Sequence, residues 1–131
     1  MYVEKRKHKR LKINLEAKIE YDKSVINGKT RNISFGGLFF EFKSLHDRLK
    51  EGDICNLTVM LNTDDAQNII PLEFQCKVVH CRKHGYGMQF ICIEGLEAYD
   101  HFEKMMVLNS DESEQLMAEL EKHPGLIVKD E

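Results

Sequence analysis

The strongest constraint on this chain is a two-residue hydrophobic period. From Lys12 to Asp22 the alternation is complete: Ile13, Leu15, Ala17, Ile19 and Tyr21 share one side, and Lys12, Asn14, Glu16, Lys18, Glu20 and Asp22 share the other. Successive strand residues point to opposite faces, so this segment predicts a strand with one buried and one solvated face. Asn27-Gly28 reads as a turn leading to a short strand near 29–33. Further strands are expected over 38–42, then through Cys55, Leu57, Val59 and Leu61, and through Ile70, Leu72, Phe74, Cys76 and Val78. A turn at Lys83-His84-Gly85 returns the chain into Tyr86, Met88, Phe90 and Cys92. Six short strands separated by turn residues predict a mainly β fold, a six-stranded antiparallel barrel, whose closure removes exposed sheet edges.

The period changes after Gly95. Leu96, Tyr99, Phe102, Met105 and Met106 recur at helical spacing and predict a helix that packs on the barrel or closes its mouth. Asp111-Glu112-Ser113-Glu114 resembles a capping box and predicts a second helix ending at His123-Pro124-Gly125. The expected organisation is therefore a barrel with its closing helix over 1–108 and an acidic helical extension over 109–131. At 131 residues with 42% apolar and 31% charged content, the chain suffices for one soluble domain. No apolar run is long enough to span a bilayer and the N-terminus is charged, so a cytoplasmic protein without membrane association is expected. Cys55, Cys76, Cys81 and Cys92 are accordingly read as reduced thiols. Cys76, His80, Cys81 and His84 approach metal-ligand spacing, but Cys76 and Cys81 fall in opposite strand registers, so no metal or other cofactor is expected.

Catalytic signatures are missing from the sequence: no phosphate-binding Gly-x-x-x-x-Gly-Lys loop, no Gly-x-Ser-x-Gly elbow and no His-Glu-x-x-His. A non-enzymatic role is expected. Charge is more informative. Residues 1–12 carry six bases against Glu4 alone, a net +5, whereas residues 94–131 carry eleven acids against three bases, a net −8. A basic head on a chain of overall charge −3 points to an anionic ligand at that end.

Two local features sharpen this. Lys5-Arg6-Lys7-His8-Lys9-Arg10 lies immediately before the first strand. Arginine offers a flat cation that stacks on a purine and a fork that meets guanine O6 and N7 or phosphate oxygens. Asn32-Ile33-Ser34-Phe35-Gly36-Gly37 closes a strand, with Asn32 and Ser34 expected on one side of an extended backbone. Gly36 and Gly37 are expected to allow positive φ and to let a bulky ligand reach the main chain.

Arg-x-x-x-Arg before the first strand, followed two dozen residues later by Asn-x-Ser-x-x-Gly, resembles the PilZ domain family, and the resemblance extends over roughly residues 4–108. It implies a bacterial receptor for the second messenger cyclic di-GMP on a six-stranded PilZ-type barrel. It assigns ligand binding to Arg6, Arg10, Asn32, Ser34 and Gly37, with Lys5 and Gly36 as additional candidates. Lys5 stands where the family often has a further arginine; it keeps the charge but lacks the planar face. The implied mode of action is ligand-induced ordering of the N-terminal arm and contact with a protein partner in trans, by a monomer or weak homodimer that does not bind DNA. The alternatives are a ligand-independent interaction module of the same fold, a barrel binding single-stranded nucleic acid, and an enzyme with no recognisable constellation.

Overall fold

In the computed structural model, the structure describes residues 11–42, 49–62, 69–109 and 127–129. Six antiparallel strands follow in chain order: β1 (Glu16–Tyr21), β2 (Ser24–Ile33), β3 (Gly37–Glu41), β4 (Ile54–Asn62), β5 (Ile69–Arg82) and β6 (Gly85–Glu94). They lie in the order β3-β2-β1-β4-β5-β6, and a further pairing of β3 with β6, from Gly37↔Gln89 to Glu41↔Gly85, closes the sheet into a barrel. The expected six-stranded antiparallel fold is the one observed. Its interior is filled by the inward residues of the alternating pattern, among them Ile19, Ile33, Phe40, Leu57, Leu72, Cys76 and Val78. Among the described residues these side chains make the interior a packed core.

Two local expectations are corrected. The first strand begins at Glu16 rather than Lys12, although Leu11 is buried and Ile13 and Leu15 are half-buried as the alternation requires. Over 11–15 the chain is held to β2 largely through the buried Thr30. Its hydroxyl accepts from Leu15 N at 2.9 Å and donates to Ile13 O at 2.7 Å. Thr30 N donates to Leu15 O at 2.8 Å. One side chain thus takes up backbone groups that a regular ladder would have paired.

The β1–β2 turn falls at Asp22-Lys23, with φ of 48° and 66°, between the paired Tyr21 and Ser24. Two left-handed residues give the hairpin the twist of its strands. Asn27-Gly28 lies inside β2, opposite Lys18 and Ala17. Gly28 is needed for packing, because a Cβ there would meet the Phe40 ring at 2.7 Å and the Glu41 carbonyl.

Beyond β6, Gly95 at φ 92° redirects the chain into α1 (Leu96–Leu108). The helix buries Phe102, Met105 and Met106 on the barrel, while Leu96 faces solvent. A short strand, β7 (Ile127–Lys129), then runs parallel to β6 against Cys92–Glu94. It occupies the β6 edge that β3, which starts opposite Gln89, leaves uncovered. Three residues are too short a run for periodicity to reveal, so the sequence offered no sign of β7. The second helix expected over 111–122 lies outside the described residues.

Candidate functional site

The Asn-x-Ser-x-x-Gly segment sits where β2 turns into β3, and its form follows from one irregularity. The β2–β3 register runs through Thr30↔Phe40 and resumes at Ile33↔Leu38. Arg31 and Asn32 together therefore stand opposite the single residue Phe39. Thr30 and Ile33 both face the interior, each 1% exposed, so the two residues between them are turned to the outer face. A bulge of this kind re-aims a side chain that regular alternation would have sent inward.

Ser34 then builds the turn. Its N–H donates to Gly37 O at 2.8 Å, and its hydroxyl accepts from Gly36 N at 3.1 Å and Gly37 N at 3.2 Å and donates to Gly37 O at 3.2 Å. At 6% exposure the hydroxyl is folded into its own loop. Asn32 and Ser34 consequently stand in different settings rather than side by side on one extended face. Neither Gly36 nor Gly37 adopts a positive φ, contrary to expectation. Gly37 is demanded by the barrel seam instead: a Cβ there would strike the Met88 carbonyl, and Gly36 O accepts from Phe90 N at 2.9 Å. The absence of side chains lets the loop lie flat on β6.

Phe35 anchors the loop from below. It is fully buried, and its ring meets Phe102 of α1 edge-on at a centroid distance of 5.5 Å. Phe102 in turn meets Phe74 at 5.4 Å and Phe90 at 5.8 Å. Edge-to-face contacts at these separations suit aromatic quadrupoles. The loop between β2 and β3 is therefore keyed into the barrel mouth and the closing helix.

Leu11 fixes the start of the chain beside this loop. Leu11 N donates to Ile33 O at 2.7 Å and Ile33 N donates to Leu11 O at 2.9 Å. Arg10 directly precedes Leu11, and Ile33 lies between Asn32 and Ser34. Lys5, Arg6 and Arg10 themselves lie outside the described residues. Lys12, one residue after the bridge, is exposed.

Sequence reasoning missed two neighbours of Asn32. The Arg31 guanidinium lies over the Phe39 ring at 5.9 Å from its centroid, and its Nη1 is 3.7 Å from Glu41 Oε2. The available signal was strand parity, which the bulge interrupts. Burial pushes Cys55 up to about 11 and Cys76 well above the ordinary thiol range. Among the described residues, no three His, Cys, Asp or Glu side chains gather as metal ligands, and no helix is long and apolar enough to cross a membrane.

The sequence matches the family model of the PilZ domain over residues 4–102, a span that takes in both motifs. No curated protein matches it. Among solved structures, the Bacillus subtilis inhibitor of motility (MotI/DgrA) superposes with a TM-score of 0.56 at 17% identity, covering 67% of this chain and 43% of that one. The chain thus spans less than half the length of that protein. The PilZ domain of CeSA from a cellulose-synthesizing bacterium superposes with a TM-score of 0.55 at 12% identity, covering 78% of this chain and 99% of that domain. At such identities the likeness is one of fold.

Proposed function

The chain belongs to the PilZ domain family, a family of binding modules, and on that premise we propose that it is a bacterial cyclic di-GMP receptor. The observation that carries this reading is the Leu11–Ile33 bridge. The residue after Arg10 is hydrogen-bonded in both directions to the residue between Asn32 and Ser34, so the foot of the basic arm adjoins the Asn-x-Ser-x-x-Gly loop.

The ligand presents two guanines and two phosphates, and each has a counterpart in this chain. Arg6 and Arg10 stack on guanine and bond its Hoogsteen edge or the phosphates. Asn32, turned outward by the bulge, bonds a guanine edge. Ser34 acts chiefly by holding the loop in shape, which presents Asn32, while Gly36 and Gly37 keep the loop low enough for a ligand to lie across it. Lys5, Lys7 and Lys9 add a diffuse positive field that speeds association. Binding orders the arm against the barrel, and the surface so formed meets a protein partner in the cytoplasm.

Isothermal titration with cyclic di-GMP, with GTP and cyclic di-AMP as controls, tests the reading. Selective binding at micromolar affinity or tighter, lost in Arg10→Ala with the barrel intact, is the expected result. A folded protein that takes up no ligand would instead be a ligand-independent interaction module.

A further inference from the structure

The bulge has a consequence outside the two motifs. On a regular strand neighbouring side chains point to opposite faces, so an edge-reading amide and a stacking cation could not be adjacent. Here Arg31 and Asn32 share the outer face. The Arg31 guanidinium is also positioned in advance. Phe39 lies beneath it, and that ring is itself seated on β6 at Gly85, where a Cβ would collide with it. Glu41 Oε2 lies 3.7 Å from its Nη1, and the Arg31 side chain remains 63% exposed. Phe39 thus lies between the Gly85 backbone and the exposed Arg31 guanidinium.

We propose that Arg31, supported by Phe39 and Glu41, is a stacking platform for one guanine of the ligand whose edge is met by Asn32. This rests on the cyclic di-GMP reading and adds to it a ligand contact outside the arginine arm. Arg31 is also a planar cation, which Lys5 is not. A guanidinium 5.9 Å from an aromatic centroid and 3.7 Å from a carboxylate samples fewer rotamers than a free one, so a purine that stacks on it has less to order. Lysine at this position would keep the charge and lose the face.

The test is titration of the full chain with cyclic di-GMP at two salt concentrations, comparing wild type, Arg31→Ala, Arg31→Lys, Phe39→Leu and Arg10→Ala. Both Arg31 variants are expected to bind about tenfold more weakly, the size of one base-stacking contact, with unchanged thermal midpoints. Phe39→Leu is expected to lose less. Arg31→Lys should keep the wild-type salt dependence despite its weaker binding, which a purely electrostatic role would not produce. Wild-type affinity in Arg31→Ala alongside lost binding in Arg10→Ala would overturn the platform and leave the receptor reading standing. Wild-type affinity in Arg31→Lys alone would overturn stacking in favour of charge. No binding by the wild-type protein would overturn both.

Discussion

Single residues carry more of this site's architecture than their motif labels suggest. Ser34 uses its hydroxyl three times within its own turn, twice as acceptor and once as donor. Ser34→Ala leaves the Gly36 and Gly37 amides to find other partners, while Gly37 O keeps the Ser34 N–H, a loss of about 1–3 kcal/mol. Urea denaturation should show that loss, and ligand affinity should fall with it because the loop presents Asn32. Cys55 offers a separate prediction at high pH. Burial raises its thiol from an ordinary value near 9.0 to about 11, so the folded state favours the neutral form. The resulting stabilisation is complete below pH 9 and drains away as pH climbs towards 11. Unfolding midpoints measured from pH 8 to 11 should fall, and should fall less steeply in Cys55→Ala.

Among the elements, α1 and the β2–β3 loop form one mechanical unit. Phe102 is 1% exposed and meets the rings of Phe35, Phe74 and Phe90. Phe102→Ala should cost about 3–5 kcal/mol through lost burial and the cavity left behind. A partial replacement such as Phe102→Leu should retain the fold and loosen the Phe35 anchor. Faster hydrogen exchange at Gly36 and Gly37 amides would report this directly, since Ser34 Oγ accepts from both. Unchanged exchange there would show that the loop is held by its own hydrogen bonds and the β6 seam. Helix and loop are legible in the sequence as separate segments, by 3.6-residue spacing and by the Gly-Gly pair. Their contact is not, because Phe35 and Phe102 lie 67 positions apart and no local pattern encodes so distant a meeting.

The whole molecule is a dipole in sequence, with net +5 over residues 1–12 and net −8 over residues 94–131. The described barrel pairs many of its own surface charges, as in Lys18–Glu20 at 3.5 Å and Lys29–Glu16 at 3.6 Å. Exposed pairs of this kind contribute little to stability. The uneven distribution matters more for association with an anion, and its field is screened within about 8 Å at physiological salt. Raising salt from 50 to 500 mM should therefore slow cyclic di-GMP association measured by stopped flow, with a weaker effect on dissociation. A salt-independent association rate would remove the basic arm from the encounter step.

What the sequence determined by itself is what local period and local chemistry encode. Alternation from Ile13 to Tyr21 and from Ile70 to Val78 fixed which faces are buried, since a one-residue slip would turn every apolar side chain outward. Two motifs in order pointed to the family. The tertiary structure decided where neighbours from distant segments compete. Gly28 reads locally as a turn but lies within β2 because Phe40 needs its space, and Asp22-Lys23 takes the turn despite having no glycine. Gly37 serves the β3–β6 seam, Ser34 serves its own loop, and three residues of β7 gain a strand only because β6 offers an open edge. Steric fit and hydrogen-bond completion between remote segments settle these matters, and neither is written in the order of nearby residues.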